Sequence, residues 1–249
     1  MNALNTFWLG LRAAIYWAGS VVSTLLVGGM MMVVLWALPD KVRYPAVTLW
    51  NRFNVWWLEV TCGVKYRVLG RENIPAQGAF LIMANHQSTW ETYALPVIFP
   101  QRLTWVLKQE LLKIPFFGWG LRMLRPIAID RSAGRAAIKQ MSQQGKALLE
   151  AGICVVIFPE GTRIAPPETG EFKIGGALMA AQIGALVVPV AHNAGESWRR
   201  HAWIKKPGTI TVSIGEPLLT KGMKADAINQ HVRGWIEAEK ARLPPPAYA

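Results

Sequence analysis

The amino-acid sequence predicts an α/β fold, a mostly parallel buried sheet flanked by helices, carried on membrane-embedded helices at the N-terminus. Three observations predict it. Ala13 to Leu38 is a run of 26 residues without a formal charge. After Arg71 short apolar runs alternate with helical stretches. Hydrophobic residues make up 52% of the chain, with 12 Trp and only 17% charged residues, a composition richer in apolar and indole groups than soluble domains carry. At 249 residues the chain holds one substantial domain plus an anchor rather than two full domains.

The charge-free run comes first. At about 1.5 Å per helical residue it is long enough to cross a hydrocarbon core of roughly 30 Å, and it ends at Pro39-Asp40-Lys41. It is too long for the apolar region of a cleaved signal peptide. Gly28-Gly29 leaves a bend within one leaflet open beside a full crossing. From Ala46 to Val60, Ala46, Leu49, Trp50, Phe53, Trp56, Trp57 and Val60 recur at helical spacing. They predict an amphipathic interfacial helix, with an ordinary core helix as the alternative. Arg12 alone precedes the run, whereas Lys41, Arg43, Arg52, Lys65, Arg67 and Arg71 follow it. That bias places the main domain on the cytoplasmic side of the cell inner membrane. The domain reading is therefore an anchor over 1–62, a main domain over 63–243 and a Pro-rich tail over 244–249.

Within the domain, Phe80 to Ala84, Ile153 to Phe158 and Leu186 to Ala191 are continuous apolar runs of strand length, and Leu103 to Leu107 and Ile210 to Ile214 are short apolar runs interrupted by Thr104, Thr211 and Ser213. Continuous rather than alternating runs imply strands buried on both faces. Thr89 to Phe99, Ala133 to Ala151, Ile174 to Gly184 and Ala225 to Leu243 carry helical patterns between and after them.

A net charge of +12 suits nucleic acid, anionic lipid or a phosphorylated substrate. Indoles among the cations favour lipid, because they partition to the headgroup level. No RRM, KH or helix-turn-helix signature is present, so nucleic acid is not an expected partner. Cys62 and Cys154 are far apart and read as buried thiols. His192, His201 and His231 show no ligand spacing, so no metal is expected.

The chemistry gathers at two strand ends. Leu81 to Glu91 places an apolar strand directly before His86, with Glu91 five positions on. In a continuous helix that separation would turn the two side chains about 140° apart, so they meet only if His86 lies on the turn that ends the strand. Ser88-Thr89-Trp90-Glu91 also fits a capping box, in which Glu91 serves the helix's own amides. A second run, Phe158-Pro159-Glu160-Gly161-Thr162-Arg163, follows another buried strand. Its glycine permits close backbone approach, and its Thr and Arg supply a hydroxyl and a fork of donors suited to a phosphate monoester.

Together these runs resemble the glycerolipid acyltransferase family, whose central members are the 1-acyl-glycerol-3-phosphate (lysophosphatidic acid) acyltransferases. The resemblance covers roughly Leu81 to Gly215. Asn85 and His86 match the family's first block, while Glu91 stands where Asp is usual. Ile129-Asp130-Arg131 matches the end of the second, with Arg125 in place of an upstream glycine. Phe158 to Arg163 matches the third, with Ile164 where Ser often follows, and Val188-Pro189-Val190 matches the fourth. Lys108 and Phe172-Lys173 resemble further recurring positions.

The resemblance implies a glycerol-3-phosphate acyltransferase-like fold and direct transfer of a fatty acyl group without an acyl-enzyme. The donor would be acyl-CoA or acyl carrier protein, the acceptor the sn-2 hydroxyl of 1-acyl-sn-glycerol-3-phosphate, and the product phosphatidic acid. No cofactor beyond the thioester co-substrate is implied. His86 would be the general base and Glu91 its orienting acid. Arg131, Gly161, Thr162 and Arg163 would hold the acceptor phosphate, with Lys108 and Lys173 in support and Glu160 orienting Arg131 or Arg163. A serine esterase at Ser197 is the rival enzyme, but Gly195-Glu196-Ser197-Trp198-Arg199 lacks the closing glycine of a nucleophile elbow. A non-catalytic lipid-binding protein is the other rival. Trp198 to Lys206 interleaves indoles with cations and reads as a second lipid-docking patch or an exposed basic loop.

Overall fold

The computed structural model describes residues 3–34, 37–114, 117–130 and 133–245. The chain opens with two antiparallel helices, α1 (Ala3–Val33) and α2 (Asp40–Cys62). Their pairing is read from a polar seam. Arg12 Nε donates to the Thr61 carbonyl, Trp57 Nε1 to the Tyr16 carbonyl, Ser20 Oγ to Asn54 Oδ1, and Trp50 Nε1 to Ser23 Oγ. Each step up α1 is matched by a step down α2, so the end of α2 returns to the level of Arg12. Gly19 makes the close approach possible, since a Cβ there would lie 2.3 Å from Trp57 Nε1. Gly63, at φ +69°, caps α2 and turns the chain into the domain.

The domain is an eight-stranded sheet: β1 (Val64–Leu69), β2 (Leu81–Ala84), β3 (Arg102–Lys108), β4 (Ile127–Ile129), β5 (Ile153–Ile157), β6 (Leu186–His192), β7 (Gly208–Ile214) and β8 (Leu218–Leu219). The spatial order is β1-β7-β6-β2-β5-β3-β4, with β8 on β6. Strands β6, β2, β5, β3 and β4 are mutually parallel, while β7 runs antiparallel to β6. The intervening helices are α3 (Trp90–Ile98), α4 (Phe117–Met123), α5 (Arg135–Glu150), α6 (Gly175–Ile183), α7 (Ala194–Ser197) and α8 (Ala225–Arg242).

Both faces of the sheet are covered, which is why its central strands read as unbroken apolar runs. Along β2, Ile82 and Ala84 pack with Trp90, Leu95 and Leu58 on the face that carries α2 and α3. Leu81 and Met83 pack with Met141, Met179 and Val232 on the face that carries α5, α6 and α8. The strands and helices expected within the domain are all present, within two residues at each end. The sequence reading passed over β1, whose Lys65 and Arg67 alternate with apolar residues on an edge strand, and over the short elements β4, α4, α7 and β8.

The N-terminal region differs from its reading in detail. Helix α1 starts ten residues before the charge-free run and continues through Gly28-Gly29. Residues 35 and 36 of that run lie outside the described residues, as do 246–249 of the tail. Helix α2 starts at Asp40, and the stripe it buries is Val47, Asn51, Asn54, Val55, Leu58 and Cys62. Leu49, Trp56 and Val60 remain exposed, so the helix has a packed stripe and a separate apolar outer stripe.

Candidate active site

The parallel strands all deliver their carboxyl ends to one edge of the sheet, the edge at which open α/β sheets bind ligands. His86 follows β2, Phe158 to Arg163 follow β5, Lys108 ends β3 and His192 ends β6. Asn85 terminates β2 by replacing a backbone pairing with a side-chain one. Its Nδ2 donates to the His192 carbonyl and its Oδ1 accepts from the His192 amide, both at 2.9 Å. The backbone of His86 is then free to leave the sheet. Glu160 Oε2 accepts its N–H at 2.6 Å, and its carbonyl accepts the Ile164 N–H at 2.8 Å. The ring of His86 stacks on Phe158, with centroids 4.1 Å apart and planes at 12°.

His86 Nδ1 lies 2.7 Å from Glu91 Oε1. That oxygen also accepts the amides of Gln87 and Ser88, at 2.9 and 2.8 Å. Capping and pairing with the histidine therefore coexist on one oxygen. Ser88 Oγ accepts from the Trp90 amide, and the carboxylate sits at the N-terminus of α3, where the helix dipole favours negative charge. Glu91 is fully buried. Burial raises the cost of its charge, but the His192 and His86 imidazoles and the Ser88 amide outweigh it, and its pKa is lowered. A carboxylate can only accept, so Nδ1 of His86 carries the proton and Nε2 keeps a lone pair. The His86 side chain is 17% exposed, which leaves it open to a substrate.

Behind the pair stands His192, wholly buried, with Nε2 4.0 Å from Glu91 Oε1. Its Nδ1 accepts the Ala194 amide at 3.3 Å and its Nε2 donates to the Asn85 carbonyl at 2.8 Å. Burial pushes its pKa down despite Glu91, so the ring is a neutral strut. Sequence reasoning missed it, although it ends β6 just as His86 follows β2. Gln87 was missed too; its Oε1 accepts the Gly195 amide at 3.1 Å and ties the His86 turn to α7.

The second run closes over the first. Gly161 adopts φ +68°, a left-handed turn that suits glycine. Arg163 Nη1 donates to Thr89 Oγ1 at 2.9 Å, which brings the guanidinium to the N-terminus of α3. Thr162 is exposed and accepts from Arg200 Nη1 at 3.1 Å, a cation that sequence reasoning had not assigned here. Glu160 Oε2 accepts the His86 amide, and Arg163 is held by Thr89 instead of by Glu160. Burial raises the pKa of Glu160 to about 7. Lys173 has an exposed side chain, and its backbone N–H bonds to the Pro159 carbonyl. Lys108 is exposed in register with Ile129. Arg131 lies outside the described residues. Ser197 is buried, and its carbonyl accepts the Lys206 amide.

A buried carboxylate–imidazole pair with an open Nε2, beside a glycine turn and an arginine, defines a base-assisted group-transfer site. The acyltransferase family model matches residues 65–193, which include both runs. The 1-acyl-sn-glycerol-3-phosphate acyltransferase of Pseudomonas aeruginosa is 41% identical over 239 residues, covering 94% of this chain and 92% of that protein. The one from Limnanthes alba is 27% identical over 220 residues, 86% of this chain and 75% of that protein. The crystal structure of the LPA acyltransferase PlsC from Thermotoga maritima shares the fold, with a TM-score of 0.78 at 24% identity, over 93% of this chain and 94% of that one. The chain belongs to the acyltransferase family.

Proposed function

We propose that this chain acylates the sn-2 hydroxyl of 1-acyl-sn-glycerol-3-phosphate with His86 as general base. The enzyme is a 1-acylglycerol-3-phosphate O-acyltransferase and its product is phosphatidic acid, in keeping with the relative matched over nearly its whole length. The observation that carries the assignment of roles is the 2.7 Å contact of His86 Nδ1 with Glu91, which leaves Nε2 as the proton acceptor.

The hydroxyl proton passes to His86 Nε2 as the oxygen attacks the carbonyl carbon of the thioester. The imidazolium so formed is stabilised by Glu91, already ionised and locked by two amides. When the tetrahedral intermediate collapses, the carbon–sulfur bond breaks and the departing thiolate takes the proton from Nε2. No serine nucleophile takes part. Arg163 and Arg131, with Thr162 and the turn at Gly161, hold the acceptor phosphate, and Lys108 and Lys173 add positive charge. Glu160 serves by holding the His86 backbone. Fixing the phosphate fixes the hydroxyl, and orientation of this kind lowers a barrier by on the order of 7 kcal/mol or more.

Residues 3–30 form an apolar helix long enough to cross a membrane, which points to membrane association. We place residues 1–62 as the anchor and the catalytic domain at the cytoplasmic face of the cell inner membrane, where acyl-CoA or acyl carrier protein reaches it. The test is transfer of labelled acyl chains from each donor to 1-acyl-glycerol-3-phosphate in vesicles. Phosphatidic acid formed by the wild type and abolished in a folded His86→Ala variant is the expected result. Undiminished transfer by His86→Ala would overturn the base assignment.

A further inference from the structure

In the segment from Trp198 to Lys206, Arg199, Arg200, His201, Trp203 and Lys206 are exposed, while Trp198 and Lys205 turn inward. Lys205 is 1% exposed. Its Nζ lies 4.1 Å from the ring centroid of Trp17, 4.9 Å from Trp198, 5.3 Å from Tyr16 and 5.9 Å from Trp203, and it donates to the Trp203 carbonyl at 2.7 Å. A cation against four aromatic faces holds this loop to α1. At the other end of the loop, Arg200 bonds to Thr162, so the same loop is tied to the Gly161–Arg163 turn.

Between these two attachments lies a cavity of about 330 Å³. Trp17, Trp198, Ala202 and Trp203 form its apolar walls, and Arg163, Thr89 and His201 its polar lining. At on the order of 30 Å³ for a group the size of a water molecule, it has room for about ten methylene-sized groups.

We propose that this cavity receives the hydrocarbon chain of the acceptor lysolipid, and that Ala202 and Trp203 set the acceptor chain length. The inference rests on the proposed acceptor and deepens it. The charge in the polar lining decides between the two substrates. The acceptor carries a phosphate monoester close to its single chain, which a guanidinium in that lining complements. The donor chain ends in an uncharged thioester, which gains nothing from Arg163 at that point. Three of the walls are indoles, whose faces accept a hydrocarbon chain. Trp17 belongs to α1, whose outer surface is apolar, so the chain passes from lipid into the cavity along one helix.

The experiment uses the full-length protein in vesicles, with long-chain and short-chain 1-acyl-glycerol-3-phosphates as acceptors and two donor chain lengths. Ala202→Leu fills the cavity. It raises KM about tenfold for the long-chain acceptor and less than about twofold for the short-chain one, with donor preference unchanged. Trp203→Ala, at a half-exposed position, removes one wall and erases the preference for the long-chain acceptor. A shift in donor preference without a shift in acceptor preference overturns the proposal and assigns the cavity to the donor. An equal loss on all acceptors in both variants also overturns it. Phosphatidic acid formation by the wild type is scored separately, so failure of the acceptor reading itself is distinguished.

Discussion

The carboxyl edge of the sheet and the N-terminal helix pair solve opposite problems. At the edge, polar groups are taken out of water and share partners: Glu91 Oε1 alone serves His86, Gln87 and Ser88, while Glu91 Oε2 and Glu160 Oε1 are buried without a hydrogen bond. In the helix pair the polar groups form a thin seam, and apolar groups face outward. Phe7, Trp8, Leu25, Leu26 and Val33 are each more than half exposed, so apolar side chains run along the outer side of α1. The first region draws its precision from buried hydrogen bonds, where an unpartnered group costs about 1–3 kcal/mol. The second rests on a few close contacts along the seam and leaves an apolar outer surface. Substitutions at the edge should therefore act on chemistry and global stability together, and those in the pair on membrane attachment.

Glu91→Ala tests the edge most severely. It leaves two buried amides and the imidazole Nδ1 without their acceptor, so we expect loss of activity by at least about 100-fold and destabilisation of about 3 kcal/mol or more. Transfer assays and denaturant unfolding measure the two effects. Asn85→Ala removes both bonds between the ends of β2 and β6 without touching the reacting groups. Its expected cost is about 2 kcal/mol in unfolding free energy. Stability unchanged in that variant would mean that the strand ends are fixed by packing alone.

Gly19→Leu tests the other region. The added side chain collides with Trp57. Parting the helices should cost about 1–3 kcal/mol and weaken retention on vesicles, read by flotation; because Trp17 of α1 lines the proposed acceptor cavity, the acceptor KM in detergent should rise while kcat is kept. A fall in kcat in detergent without loss of flotation would show that the helix pair shapes the catalytic residues themselves.

Glu160→Gln carries the smallest effect. The wild-type carboxyl has a pKa of about 7 against an ordinary 4.5, so between those values the folded protein holds a proton that the unfolded chain has lost. The stability it contributes is complete below about pH 4.5 and is lost as pH rises toward 7. Glutamine keeps an acceptor for the His86 amide and cannot titrate. The variant's Tm should fall less steeply than the wild type's across that interval.

The sheet's buried strands were legible in the sequence because two-sided burial requires unbroken apolar runs, as in Leu81 to Ala84 and Ile153 to Ile157. The edge strand β1 was not, because Lys65 and Arg67 point to solvent and looked like flanking charges of the anchor. Contact between His86 and Glu91 was foreseen on one condition, that the histidine end a strand, and the structure meets it. Two readings of Glu91 that looked like rivals, helix cap and histidine partner, are both realised, since one oxygen accepts several donors. Glu160's bond to the His86 amide was not legible, because a backbone donor leaves no mark on residue type. Nor was the Lys205 cage, in which half of the rings come from α1.

The most direct test of the account is the kinetics of Glu91→Gln. Glutamine retains an acceptor oxygen for the Ser88 and Gln87 amides but cannot supply the charge that stabilises an imidazolium on His86. The predicted result is a fall in kcat of about 100-fold or more with the acceptor KM within about threefold of wild type. A kcat close to wild type would contradict the claim that Glu91 and His86 act as a pair.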